Sequence, residues 1–384
     1  MHHLSEIETN CDFDMMEGVK KMGNKTIKAL LCLAMCIIPS LCSATGYEPR
    51  LLGVLDGDSA SSAIDINNAG TVLCGSGDAT HSTAALWTES GGLEAISDEN
   101  GPFGMARINN SGYTCGYVLH QEPYFGVGVI RDPLGNLYQK QAGSAVYAVN
   151  DHLTAVGTVG RDAYVWYADG TEVNLGGSSD ASLNYDMCIN NNGVVAWSNQ
   201  SYVTRQSRAY VWNGAGDPIA LTQLNEGSLG NYVSVFDIND NGQILGRTGG
   251  HSVIWDTLGN ITTDIGLGEA FGINNLGQVV GAIDNQAVLW QPDGSIVSLG
   301  YGKYSTASAI NDHSQIVGQV ILPDQEYGQA VLWQPVPEPA SILALLSGLV
   351  GMAGLVVRGR NGRRQDLSNS LNCTGFLCGW NYRQ

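Results

Sequence analysis

The chain has 384 residues and carries 18 Lys and Arg against 36 Asp and Glu, a formal charge of −18 at pH 7. Within residues 45–335 the imbalance is sharper, 9 basic against 29 acidic; so acidic a surface repels phosphate backbones and anionic lipid, which argues against nucleic acid as a partner. The same stretch holds three cysteines, Cys74, Cys115 and Cys188, too few for a disulfide framework and expected as packed thiols.

In chain order, residues 1–21 are acidic and unlike a leader, and Met22 reads as the better start. Lys20, Lys21, Lys25 and Lys28 precede the apolar run Ala29–Leu41, which is too short to span a membrane, and small residues surround Ala44. That is the layout of a secretory signal peptide over 22–44, cut after Ala44.

Residues 45–335 form the body, and internal repeats decide its fold. An aliphatic residue followed by Asn recurs at Asn67, Asn109, Asn150, Asn190, Asn239, Asn274 and Asn311, at spacings of 42, 41, 40, 49, 35 and 37 residues. Seven residues on stands Gly116, Gly157, Gly246, Gly281 or Gly318, with Cys74 and Trp197 as exceptions. A short apolar run then ends at Trp87, Trp166, Trp212, Trp255, Trp290 or Trp333, with Arg131 in that slot of the second copy. Four residues further lies Gly91, Gly135, Gly170, Gly216, Gly259 or Gly294.

Each copy reads as four short strands, A to D, with no helical period. Strand A ends at the Asn, B is exemplified by Gln243–Gly246, C ends at the Trp, and D by Ile296–Leu299. Five of the seven A–B turns carry Gly three residues after Asn, supplying positive φ. Leu153 and Ser314 stand there in the other two and are expected to strain or reshape them. A surplus D strand, Arg50–Leu55, opens the body, and the last copy stops after C. A ring resolves both if Arg50–Leu55 pairs beside Val331–Trp333. The expected fold is therefore all-β, a seven-bladed β-propeller of four-stranded blades closed by the N-terminal strand, which also hides sheet edges. One Trp per blade is expected to pack between blades.

The repeated Ile-Asn-x-x-Gly-x-Val-Val-Gly core followed by Val-Leu-Trp resembles the HAF family of extracellular repeats over nearly all of residues 50–335. The resemblance implies an extracellular location and no particular reaction.

In such blades the A–B and C–D turns share one end, and the B–C and D–A loops share the other. The Asn-to-Trp interval is 16 residues in three copies and 20 to 22 in the rest, so length variation falls on the second end. Loops on a rigid scaffold carry function, and this face is the expected recognition surface. Its B–C loops offer His120, Glu122, Tyr124 and Phe125, then Tyr202, Arg205 and Arg208, then Glu326 and Tyr327. D–A loops add Tyr185, Tyr232, Tyr301 and Tyr304. Aromatics beside polar groups suit sugar rings, although each tyrosine taken alone reads first as a blade-edge cap.

Three apparent sites fail. Gly57-Asp58-Ser59 with Asp78-x-x-His81 imitates a GDS-type hydrolase but lies within one repeat. Asp237-x-Asn239-x-Asn241-Gly242 imitates the start of a calcium loop, yet position twelve is Thr248 and the spacing is that of a hairpin turn. His81, His120, His152, His251 and His313 lack metal-ligand spacing. The acids are read as spread round the ring, so no catalytic constellation is expected. No cofactor is expected either; calcium attraction to the acidic surface stays open without a motif.

The C-terminal segment 336–364 is the sharpest signal. Val336-Pro337-Glu338-Pro339-Ala340 is followed by uncharged residues from Ala340 to Val357, about 27 Å of helix and enough to cross a ~30 Å core. Arg358, Arg360, Arg363 and Arg364 come next, and such a cluster stays cytoplasmic, leaving the body outside. Prolines stiffen the segment ahead of the span and present it just outside the bilayer. This order of parts resembles the PEP-CTERM sorting signal of Gram-negative bacteria. The resemblance implies an exosortase-type processing enzyme acting at Pro337-Glu338-Pro339 and a link to exopolysaccharide and biofilm. Such signals normally end after the basic cluster, whereas this chain continues through 365–384, read as a disordered tail with a bare Cys373/Cys378 pair.

The combined expectation is an exported, non-enzymatic surface or matrix protein, held at the inner membrane by helix 340–357 until processed, whose propeller binds extracellular polysaccharide or another surface partner. The alternatives are a secreted glycan lyase or hydrolase on the variable-loop face, and a purely structural surface module.

Overall fold

The computed structural model describes residues 44–337, apart from 79, 97–102, 122–123, 177–180, 202–205 and 225–231. Residues 47–335 form one compact unit. Every described element is a strand, and the strands make seven four-stranded sheets. In blade 1, strands A to D are Ala60–Ile66, Val72–Gly77, Ser82–Thr88 and Gly92–Ala95, each antiparallel to the next. Blades 2 to 6 repeat that order.

The seventh sheet is the exception the surplus strand required. Its A to C strands are Tyr304–Ile310, Ile316–Ile321 and Gln329–Pro337, and its outer strand is Ala44–Gly53 from the start of the chain. The closing strand starts and ends earlier than the expected Arg50–Leu55, because Gly53 adopts φ 84° and turns the chain away. Arg50 secures the junction: its guanidinium lies 5.1 Å from the Trp87 ring centroid and meets both Glu89 carboxylate oxygens at 2.6 Å.

The core is distributed, with one apolar cluster at each of the seven blade interfaces. Trp87 packs between blades 7 and 1 with Leu332 and Val317. Trp166 packs between blades 2 and 3 with Cys115, and Trp212 between blades 3 and 4 with Val165. Trp255, Trp290 and Trp333 occupy the next three interfaces, and each Trp comes from the later blade of its pair. Only the interface of blades 1 and 2 lacks one, because Arg131 holds that slot. The tryptophans are thus inter-blade wedges, as expected. Cys74, Cys115 and Cys188 are buried free thiols in the same clusters.

A β-bulge recurs in strand A of six blades, three residues before the repeat Asn, at Ile64, Ala106, Tyr147, Phe236, Phe271 and Ser308. The extra residue bends the strand and redirects its own side chain. Four strand-B glycines lie tight against strand A, although the bulge alone does not demand glycine, since blade 1 has the same bulge and holds Cys74 there. A Cβ at Gly157, Gly246, Gly281 or Gly318 would overlap the carbonyl oxygen of Ala145, Ser234, Glu269 or Thr306 on strand A. Blade 4 departs from this, its register shifting between Leu183 and Met187, and there Trp197 fits where glycine stands elsewhere.

The A–B turns are all alike. Leu153 and Ser314 adopt φ 60° and 58°, where their glycine counterparts lie at 76° to 81°. Those two turns keep the common hydrogen bonds, Leu153 N–H to Asn150 O and Ser314 N–H to Asn311 O, both 3.0 Å. They are strained, at about 1–2 kcal/mol each, and not reshaped.

Candidate functional site: the axial channel

The innermost strands of the seven blades surround a channel, and equivalent residues of the repeats form layers along it. At the A–B mouth stands a closed ring of asparagines. The side-chain amide of Asn67 donates to the carbonyl of Asn109, and Asn109 in turn to Asn150. The relay runs on through Asn190, Asn239, Asn274 and Asn311, which donates back to Asn67 at 3.0 Å. Each asparagine Oδ1 meanwhile accepts from its own turn: two N–H groups in five blades, as Asn150 does from His152 and Thr154, and one at Asn109 and Asn239, from Tyr113 and Gln243. Aspartate could not donate and alanine could do neither, so the repeat asparagine has a two-sided task.

The next residues form a second ring: Asn68, Asn110, Asp151, Asn191, Asp240, Asn275 and Asp312. Each backbone N–H donates to the Oδ1 of the following blade, and the cycle again closes, Asp312 N–H reaching Asn68 at 2.9 Å. Amide Nδ2 groups donate to flanking carboxylates, Asn191 to both Asp151 and Asp240 and Asn275 to both Asp240 and Asp312. Donors and acceptors alternate round the ring. Seven is odd, so one like pair must occur; it is Asn68 beside Asn110, and no two aspartates adjoin.

Below the rings, two residues before each Asn, lie Asp65, Arg107, Cys188 and Asp237. Here the structure corrects the reading that the acids are spread round the ring. Closure carries Asp65 and Asp237 to the axis, where both face Arg107. Asp65 accepts the N–H groups of Ile66 and Ile108 (2.9 Å each), and Asp237 those of Ile238 and Ile273 (3.0 Å each), so each pins two neighbouring blades. Burial pushes Asp65 up to about 6, with Arg107 working in the opposite direction, and burial likewise raises Asp237. Arg107 donates to the Phe236 carbonyl at 2.6 Å and stands 3.5 Å from Asp237. Burial lowers its pKa, but Asp237 and Asp65 more than offset this, and it stays charged.

On the other side of Arg107 the channel widens into a funnel of about 410 Å³, within the ~300–1,000 Å³ usual for small-molecule sites. Its wall comes largely from the bulged residues, Tyr147, Phe236 and Phe271, with Tyr117, Met187 and Asp186. Phe236 and Phe271 lie 5.9 Å apart, tilted by 55°. Burial pushes Asp186 up to about 6, Arg107 again countering. A second cavity of about 410 Å³ shares Ile64 and Tyr117 with the funnel and reaches Thr80 and His81. The two adjoin at Ile64 and Tyr117, and together they line a path from the axis outward between blades 1 and 2, referred to below as the groove.

The groove ends on a polar corner. His81 places Nε2 2.8 Å from Asp58 and Nδ1 3.0 Å from Asp78, and Ser76 donates to Asp58 at 2.6 Å. Both imidazole nitrogens face carboxylates, which leaves none to activate a serine. The hydrolase resemblance dismissed from sequence therefore has no serine-activating geometry here. Asp237–Gly242 is a hairpin turn, with Gly242 N–H to Asn239 O at 3.0 Å, as expected from its spacing. Among the described residues no cluster of three or more His, Cys, Asp or Glu could hold a metal ion.

The residues expected on the recognition face are scattered relative to the groove. Tyr232, Tyr304 and Tyr327 are 53%, 43% and 48% exposed, and Tyr304 lies under Lys303. Tyr301 packs against the cluster between blades 6 and 7, a structural role. Arg208 is exposed on strand C of blade 4. His120 pairs with Phe125 and Gln121 with Tyr124 across the B–C hairpin of blade 2; their side chains lie outside the described residues, as does that of Tyr185. Glu122, Tyr202 and Arg205 also lie outside them, as do Glu338, Pro339, the span 340–357, and Arg358, Arg360, Arg363 and Arg364. Pro337 ends the last described strand. Of the expected face residues whose side chains are described, none lines the funnel. Its aromatics had a signal in the repeats themselves, since Tyr147, Phe236 and Phe271 share one register position.

No family model and no curated protein matches the chain in sequence. Solved structures do match. Selenomethionine-substituted virginiamycin B lyase from Staphylococcus aureus superposes with a TM-score of 0.55 at 11% identity, over 76% of this chain and 100% of that one. A catalytically inactive variant of the same lyase with quinupristin gives 0.53 at 10%, over the same shares. A streptogramin B lyase gives 0.52 at 10%, over 75% and 98%. The likeness is one of fold. At such identity it carries the seven-bladed architecture and no activity.

Proposed function

We propose that the chain is an exported surface or matrix protein, sorted through a PEP-CTERM signal, whose HAF-type propeller binds extracellular polysaccharide. The observation that carries the binding half is the groove: an aromatic funnel on the axis continues outward to a polar corner at His81, a shape suited to an extended chain of rings. It opens toward the end that bears the variable B–C and D–A loops. Aromatic faces cover the apolar side of a sugar and the polar groups meet its hydroxyls. The acidic surface keeps such a module soluble and away from nucleic acid and anionic lipid.

The sorting half rests on the order of Pro337-Glu338-Pro339, the uncharged run and the arginines. On this reading an exosortase-type enzyme releases the body to the cell surface or matrix. Two experiments test the proposal. A glycan array probed with residues 44–337, with and without calcium, is expected to show retention on exopolysaccharide; no retention on any glycan would sink the binding half. Pulse-chase fractionation of Glu338→Ala is expected to leave the protein in the inner membrane, and unaltered release would refute the sorting half.

One observation favours a second reading, a glycan lyase or hydrolase. Asp186 stands beside Arg107 with its carboxyl pushed up to about 6, within reach of acid–base work near neutrality. Its partners argue against it, because the Asp65 and Asp237 carboxylates are each held by two backbone N–H groups. New reducing ends or unsaturated products from a bound glycan would turn the assignment to an enzyme.

A further inference from the structure

The charge of the funnel restricts which sugar it can hold. Asp65, Asp186 and Asp237 face the channel against one cation, Arg107, and that guanidinium is committed to the Phe236 carbonyl and Asp237. Asp186 differs from the other two acids. It lies on the funnel wall, where Arg107 and the Ser198 hydroxyl act on its carboxylate, and among the described residues no backbone N–H donates to it. Around it stand Tyr117, Tyr147, Phe236 and Phe271, whose ring faces are negative. The body as a whole, residues 45–335, carries 9 basic residues against 29 acidic.

An anionic sugar is therefore repelled on approach and again inside, and a neutral one gains stacking alone. A protonated amine gains three times: from the acidic surface during encounter, from the aromatic faces, and from the Asp186 carboxylate in a partly desolvated site. We infer that the axial funnel is a subsite for an amino sugar with a free, protonated amine, held between Asp186 and the Phe236–Phe271 pair, while the rest of the glycan follows the groove toward His81. The inference rests on the glycan-binding proposal and narrows it to cationic polymers such as deacetylated glucosamine chains.

The test is isothermal titration of the full chain, and again of residues 44–337, with glucosamine, N-acetylglucosamine and galacturonate oligomers of equal length. The glucosamine oligomer is expected to bind about tenfold or more tighter than the acetylated one, and the galacturonate oligomer not to bind. Asp186→Asn is expected to cost about tenfold in glucosamine affinity, and Phe271→Leu several-fold, with melting temperatures unchanged. Should Asp186→Asn fail to fold, Phe271→Leu and competition by monomeric glucosamine against N-acetylglucosamine decide the question. Equal binding of acetylated and free-amine oligomers, tighter binding of galacturonate, or an Asp186→Asn protein with undiminished affinity would overturn the inference and leave the glycan reading standing. If none of the three binds but another glycan on the array does, the inference falls alone; if nothing binds, both fall.

Discussion

Replacing Asn311 by alanine tests whether the asparagine ring holds the propeller shut. Asn311 is 4% exposed, and its amide donates to Asn67 O across the junction of blades 7 and 1 (3.0 Å) and to Gln315 Oε1 (2.8 Å). Its Oδ1 accepts the N–H groups of His313 and Gln315, both at 3.0 Å. Four hydrogen bonds go. Asn67 O keeps the turn bond from Gly70 N–H at 3.0 Å, so no carbonyl is wholly orphaned. At about 1 kcal/mol net for each bond, discounted because the turn N–H groups can reach water, the expected loss is about 3 kcal/mol. For a domain of this size that lowers the melting temperature by roughly 6–12 °C. Urea unfolding gives the free energy directly and calorimetry the temperature. Asn311→Asp keeps the acceptor, loses the donor and sets a carboxylate against the Asn67 carbonyl, so it should be no better than alanine. Because the ring has no end, Asn150→Ala in its middle should cost the same within about 1 kcal/mol. A loss below about 1 kcal/mol at Asn311, or tolerance of aspartate there, would refute the closure role.

Asn191→Asp removes the two amide bonds to Asp151 and Asp240 and places three carboxylates in a row; a loss of about 2–4 kcal/mol is expected by urea unfolding, shrinking toward pH 4, and a pH-independent loss contradicts the alternation rule. Gly281→Ala drives a methyl into the Glu269 carbonyl and should cost several-fold more than Gly294→Ala, whose Cβ meets nothing and which is strained only by its φ of 85°; equal losses in thermal melts would deny that the close approach of strand A selects glycine there. Deleting residues 44–53 uncovers the edge of strand Gln329–Pro337, and light scattering should report association; a stable monomer with an unchanged melting temperature counts against strand closure. At the groove end, the Asp58 hydrogen bond and the charge of Asp78 raise the His81 pKa, so its contribution is fully present below about 6.5 and lost as pH rises through the higher folded value. Asp78, lowered to about 2 mainly by its bonds with Thr80, contributes above about 3.9 and loses that contribution as pH falls toward 2. The melting temperature of His81→Gln should accordingly fall below that of the natural protein at pH 5.5 and converge with it near pH 8.5; a pH-independent difference refutes the assignment.

The repeat unit, the blade count, the closing strand and the tryptophan wedges were legible in the 384 residues alone. All depend on local chemistry: period-two burial, glycine at turns, and a count of strands that balances only in a ring. The site was less legible. The variable B–C and D–A loops point to Tyr232, Tyr304 and Tyr327, yet the cavity lies deeper, on bulged residues of strand A.

That seven similar units form seven similar sheets follows from the chain alone, because each hairpin is specified within a dozen residues. Tertiary structure alone decided that Asp65, Arg107, Asp186 and Asp237 meet, and that every repeat asparagine hands a hydrogen bond to the next. Those residues are roughly a repeat or more apart along the chain, and only circular closure, by bringing the same register of every innermost strand to one axis, makes them neighbours.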